Sequence, residues 1–196
     1  MPHIFIELYQ SIEIRLLKYK IINKKMKKPS PTKYPGYFQS YIELVREEDL
    51  ADAFNKQTPI IRSFLSSISE EKSHLVYEPG KWSIKEILQH IIDSERIFSY
   101  RTLCFARKEK VGLPGFEEKD YAANSNANNR SWQSLGNEFL IVRQSTHLLF
   151  NSFTDEMLES EGTANNYRIN VASIGFLLLG HFYHHKKIVE ERYIVK

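Results

Sequence analysis

The stretch that most restricts how this chain can fold lies near its C-terminus: Ile174-Gly175-Phe176-Leu177-Leu178-Leu179-Gly180-His181-Phe182-Tyr183-His184-His185-Lys186-Lys187-Ile188. A helix turns about 100° per residue, so Ile174, Leu178, His181, His185 and Ile188 share one face. Two histidines one turn apart therefore lie inside an apolar stripe. An imidazole buried without partners costs about 1–3 kcal/mol. One metal ion can serve both rings, which is why the HxxxH spacing recurs on helices that bind zinc. The rest of the chain is then a scaffold that brings a third ligand to this pair.

Three further helices are legible upstream. From residue 41 to 67 the apolar positions Leu44, Leu50, Phe54, Ile61 and Phe64 follow helical spacing, with Asp49 able to cap and Pro59 able to kink or interrupt the run. Ser83-Ile84-Lys85-Glu86 is a capping box that opens a helix over about 83–108. Ser131 can cap a helix over 132–153, and Asn170 the last one, over 171–193. Residues 66–80 are a connection with a Pro79-Gly80 turn, 111–130 a long irregular loop, 155–161 an acidic turn and 162–169 a plain link. A loop of that length in a compact domain is usually functional or disordered. Strand signals are almost absent, so the expected fold is all-α, a four-helix bundle.

Charge divides the chain unevenly. Residues 1–33 hold eight Lys/Arg against two Glu, a net +6, whereas the remainder holds 19 Lys/Arg against 22 Asp/Glu, a net −3. Helical spacing at Phe5, Leu8, Ile12, Leu16 and Tyr19 allows a membrane-surface helix, but the simpler reading is a peripheral basic extension ahead of Met26. Pro29, Pro31, Pro35 and Gly36 separate it from the body, giving an extension over 1–33 and a bundle domain over 34–196. The body carries no basic stripe, so nucleic acid is not an expected partner. No apolar run reaches the roughly 18 residues of a membrane span. Cys104 is the single cysteine, which rules out an intrachain disulfide and fits a reducing, cytoplasmic setting.

Bundles build sites from side chains on facing helices. His90, near the start of the second helix, is the best third ligand for His181 and His185, with His184 as a rival. Residue types alone leave two readings open: a three-histidine metal site with an open position, or core histidines satisfied by hydrogen bonds. Glu95, one turn beyond His90, could be a general base, a partner for an imidazole N–H, or half of an ion pair with an arginine. Arg101 and Arg143 could hold an anionic substrate or be structural. Nothing singles out His147, and Cys104 packs rather than reacts.

The run from Tyr77 to Arg96 (YEPGKWSIKEILQHIIDSER), with Leu113-Pro114-Gly115-Phe116 and the ending Gly180-His181-Phe182-Tyr183-His184-His185, resembles the DinB/YfiT-like superfamily. The resemblance extends over about residues 34–193 and leaves out 1–25. It implies a four-helix bundle with a long crossover connection and a divalent metal on His90, His181 and His185. Zinc or nickel comes first as that ion, with manganese or iron as alternatives. Relatives include thiol S-transferases that use low-molecular-weight thiols such as bacillithiol or mycothiol, a thiol-dependent isomerase, and metal-dependent hydrolases. The expected function is thus transfer of a low-molecular-weight thiol to an electrophilic small molecule. A metal-dependent hydrolase and a non-catalytic metal-binding stress protein are the alternatives. In the first reading the 111–130 loop walls the pocket, Tyr121 lies on the substrate side, and Arg101 or Arg143 meets the carboxylate of the thiol. A homodimer is the expected assembly.

Overall fold

The computed structural model describes residues 26–194. Four long helices form the bundle: α1 (Leu50–Ser67), α2 (Ile84–Ala106), α3 (Trp132–Asn151) and α4 (Val171–Val189). α2 packs against α3 and α4, and α1 packs against the same two. The crossover connections follow from this arrangement, because α1 and α2 are consecutive in sequence without being principal neighbours.

The sequence caps form as expected. Ser83 accepts from the amide of Glu86 while the Glu86 carboxylate takes the Ser83 amide, closing both halves of the capping box. Ser131 and Asn170 accept from the amides three residues on, Ser134 and Ser173. Each cap satisfies an N–H that the first turn leaves without a helical partner. Pro59 sits inside α1 without ending it.

Five stretches differ from the sequence reading, among them the acidic turn over 155–161, which holds a short helix, Asp155–Glu159. The expected helix over 41–67 is two helices, Gln39–Ile42 and α1, because the backbone between them pairs elsewhere. Lys28 donates its amide to Glu48 O (3.0 Å) and Leu50 donates to Met26 O (2.9 Å), so those groups cannot serve a helix. The 111–130 loop contains a short helix, Glu118–Asn124. The plain link over 162–169 is a hairpin, β1 (Glu161–Ala164) antiparallel to β2 (Tyr167–Asn170). Its turn is Asn165-Asn166, both with positive φ (49° and 63°), the two-residue geometry that asparagine tolerates. Finally, α4 ends at Val189 and passes into a π-helical turn, Glu190–Ile194.

The apolar stripe expected on α4 is in fact a whole buried cylinder: every residue from Val171 to Phe182 is buried. A helix apolar all round must be covered on all sides. α1 and α2 cover it, together with β2 and the short Gln39–Ile42 helix. That last contact depends on Gly180, where a Cβ would lie 2.0 Å from the Tyr41 carbonyl oxygen. The extension also joins the core in part. Met26 is buried and donates its amide to Asp49 Oδ2 (2.7 Å), and Lys28 Nζ reaches Val45 O (2.5 Å). The peripheral role expected for residues 1–25 concerns a stretch outside the described residues.

The core has two apolar clusters. One gathers Leu50, Phe54, Phe105, Phe150 and Ile174; the other Ile61, Ile91, Phe139 and Phe182. Between them, one from each long helix, lie the buried polar residues Gln57, Glu95, Arg143 and His181. This polar layer sets the level at which the histidines meet.

Candidate metal centre

α2 and α4 bring His90, His181 and His185 together. His181 Nε2 is 3.1 Å from His90 Nε2 and 3.0 Å from His185 Nε2. His90 and His181 are buried and His185 half-buried. Burial pushes the His90 imidazole down to about 4. It also holds His181 and His185 well below the usual imidazole range, and the neighbouring histidine rings push in the same direction. All three rings are therefore neutral at pH 7.

A neutral imidazole has one N–H and one lone pair. Three Nε2 atoms facing one another cannot all be satisfied by each other. Two nitrogens bound to one ion at about 2.1 Å lie roughly 3.0–3.4 Å apart when they subtend between a right and a tetrahedral angle. The observed separations fall in that range, and an all-imidazole donor set suits a borderline divalent cation. The residues present thus fit a divalent metal ion. His184 is half-buried and sits against Tyr41, with ring centroids 4.9 Å apart, outside the cluster. Two aromatic neighbours escaped the sequence reading. Trp82 lies 4.9 Å from His90, and Tyr41 lies 6.0 Å from His181. Trp82 directly precedes the Ser83 cap, so its closeness to His90 is two helical turns of reach; for Tyr41 no sequence signal existed.

A model of the DinB superfamily matches residues 53–189, a span that contains all three histidines. The chain belongs to the DinB superfamily. A proposed metal-dependent hydrolase of Geobacillus thermodenitrificans (strain NG80-2) is 24% identical over 136 residues, covering 67% of this chain and 73% of that protein. In structure the chain is similar to YfiT from Bacillus subtilis, described as a probable metal-dependent hydrolase with an unusual four-helix bundle topology. The TM-score is 0.63 at 14% identity, covering 84% of this chain and 90% of that one. At that identity the likeness speaks for the fold.

Around the triad of this DinB-superfamily chain, the other expected site residues part ways. Glu95 and Arg143 are committed to each other: Arg143 Nε lies 2.8 and 3.0 Å from the two Glu95 oxygens, and Nη2 lies 2.8 Å from Oε2. Arg143 also donates to Gln57 Oε1, and Gln57 Nε2 donates to Leu179 O (2.9 Å), two residues before His181. Gln57 was missing from the sequence reading, since a glutamine on an apolar face carries no distinguishing mark. Arg101 is elsewhere, in a cleft between α2, the loop and the hairpin, where it lines the wall with Phe98 and Phe116. Tyr121 is exposed and meets Phe116 edge-on at 5.2 Å.

No helix among the described residues is long and apolar enough to cross a membrane.

Proposed function

We propose that the chain is a metal-dependent enzyme acting on a small molecule, with His90, His181 and His185 as the ligands of a divalent ion, zinc or nickel first, manganese or iron as alternatives. The observation that carries this reading is the convergence of three Nε2 atoms, two buried and one half-buried, on one point. An ion held there would supply Lewis acidity, lowering the pKa of a bound thiol or water.

The chain's own residues do the rest. Burial keeps the three rings neutral, so their lone pairs stay available as ligands. The Glu95–Arg143–Gln57 network fixes α4 beside His181, which makes Glu95 and Arg143 positioning residues in this reading. Arg101 and Tyr121 belong to the substrate side. The reaction we favour is transfer of a low-molecular-weight thiol to an electrophile, on the strength of the family resemblance. Hydrolysis is the second reading, favoured by the descriptions of the Geobacillus and Bacillus relatives. A homodimer is part of the proposal; Ile141 and Leu148, exposed on α3, offer it apolar surface. So is a cytoplasmic location.

The deciding experiment is metal analysis of purified protein. It is followed by two assays on the metal-loaded form, thiol-dependent loss of an electrophile and thiol-independent cleavage of esters and amides. His90→Ala should lose both the metal and whichever activity is found. Cleavage without thiol would select the hydrolase. Stoichiometric metal with neither activity would leave a non-catalytic metal-binding protein.

A further inference from the structure

The cleft around Arg101 holds a feature the metal centre does not use. Arg101 is buried, 7% exposed, yet no carboxylate among the described residues forms an ion pair with it. Among the described residues its side chain makes one hydrogen bond, from Nη2 to the Pro114 carbonyl at 2.9 Å. That carbonyl is held in place, because Leu113 donates to Thr163 O (2.9 Å) and accepts from Asn165 N (3.0 Å), a single parallel bridge that ties the loop to the hairpin. The guanidinium lies near two rings, 5.3 Å from the centroid of Phe98 and 5.9 Å from that of Phe116. Neither ring is a counter-charge, so the N–H groups not bound to Pro114 stay open to a ligand. Burial lowers its pKa, which is the mark of a cation short of counter-charge. Glu118, the acid that shares the cleft, is exposed to solvent and makes no ion pair with it.

A buried cation without an anion is costly, and a guanidinium edge matches a carboxylate two-pronged. The surrounding walls are aromatic: Phe98 and Phe116 inside, Tyr37 and Tyr167 at the rim with ring centroids 5.1 Å apart. The cleft volume is about 350 Å³, enough for a fused two-ring molecule. We propose that this cleft is a binding site for an aromatic carboxylate, with the carboxylate on Arg101 and the ring system between the aromatic walls.

The site lies apart from the histidines. Phe98 is eight residues past His90, about 12 Å at 1.5 Å per residue, and Ile174, also in the lining, is seven before His181, about 10 Å. Tyr37 lines the cleft while Tyr41, one turn on, leans on His181 and His184. Naming the occupant as substrate rests on the proposed function; the binding itself does not.

The test is calorimetric titration of the full chain, metal-stripped and metal-loaded, with 2-naphthoate, 2-naphthamide and cyclohexanecarboxylate. The naphthoate should bind both forms, and the amide about tenfold more weakly or worse, as loss of a charge-assisted pair requires. The saturated acid should also be weaker. Arg101→Gln should lose the preference for acid over amide with an unchanged melting temperature, and Phe116→Ala should weaken the naphthoate but not the saturated acid. Should Arg101→Gln fail to fold, the acid-to-amide ratio in the parent and the Phe116→Ala protein decide. Equal binding of acid and amide, equal binding of aromatic and saturated acids, or no saturable binding of naphthoate overturns the proposal. Binding seen only with metal present places the ligand at the triad, sinking the cleft while the proposed function stands. Binding to a protein that takes up no metal does the reverse.

Discussion

Arg143 and Arg101 are buried to nearly the same degree, 4% and 7% exposed, but their surroundings differ in kind. Arg143 sits in the polar layer with four long helices around it, both Glu95 oxygens and the Gln57 carbonyl oxygen on its donors. Both guanidiniums lie near two aromatic rings, Phe54 and Phe139 for Arg143 and Phe98 and Phe116 for Arg101, but among the described residues the Arg101 side chain has one backbone carbonyl as its hydrogen-bond partner and no carboxylate. The first arginine is complete without a ligand and the second is not. Burial of a charged side chain therefore says little about its role until its partners are counted. The same contrast separates the centre of the bundle, where the histidines meet, from the cleft built by loop and hairpin.

The largest expected effect breaks the contrast at its source. Arg143→Leu leaves the Glu95 carboxylate buried and unpaired, a loss of about 3–5 kcal/mol by the usual cost of breaking a buried pair. Arg101→Leu removes a charge that lacks a counter-charge, and should change stability by less than about 1 kcal/mol. Urea midpoints of the two variants compare them directly. A similar large loss in both would show that Arg101 is as structural as Arg143.

Acid should next distinguish the two regions. The triad rings are neutral in the folded protein, His90 down to about 4 against an ordinary 6.5. Above pH 6.5 neither the folded nor the unfolded chain protonates His90, so it contributes nothing to the pH slope. Between 6.5 and about 4 only the unfolded chain takes the proton, so stability falls as pH falls. For His90 alone the full effect is about 3 kcal/mol, and His181 and His185 act in the same direction. Melting of metal-free protein across this range should show the slope, reduced in His90→Ala and retained in Arg101→Leu. A slope unchanged by His90→Ala would mean that other groups carry it.

Much of the centre was legible in sequence because it follows helical periodicity. The HxxxH pair lies within an apolar run, and His90 follows a capping box that fixes the phase of α2. The caps at Ser83, Ser131 and Asn170 were local signals with a single physical solution. The missed parts were non-local or short. The break before α1 arises because residues 45–50 pair with 26–28, which no local pattern records. The β1–β2 hairpin is only four residues per strand, and its one signal was the Asn165-Asn166 turn. The cleft draws on the segment before Gln39–Ile42, α2, the loop, the hairpin and α4, so Arg101 could be suspected but not told apart from Arg143. Which arginine finds a carboxylate is settled by the packing of helices distant in sequence.

A smaller effect separates two glycines, one in each region. At Gly180 a Cβ would meet the backbone of Tyr41, its oxygen at 2.0 Å, which cannot give way without moving the segment that covers α4. At Gly115 it would meet the end of the Asn165 side chain, Oδ1 at 2.4 Å, which can rotate. Gly180→Ala should cost about 1–3 kcal/mol, as overpacking does, and weaken metal retention by disturbing Tyr41 beside His181. Gly115→Ala should cost less than about 1 kcal/mol. Thermal melts and competitive metal chelation read both; equal costs would mean that the covering segment yields as easily as one side chain.

A smaller effect than that of Gly180→Ala is expected from Ser83→Ala. This change removes the hydroxyl that accepts from Glu86 N (3.2 Å) and the contact of that hydroxyl with Asn128 Oδ1 (2.7 Å). An N-cap loss of this kind costs about 0.5–2 kcal/mol. Its interest lies in where the cost falls. His90 is two turns from the cap and Arg101 is five turns away on the same helix, so fraying of the first turn reaches the triad before it reaches the cleft. Metal should therefore dissociate faster in a chelator challenge, while 2-naphthoate affinity stays at the parent value. If both weaken together, α2 acts as one rigid lever and the two regions are coupled through it. If neither changes, the Glu86 carboxylate on the Ser83 amide, at 2.7 Å, is enough to hold the helix start.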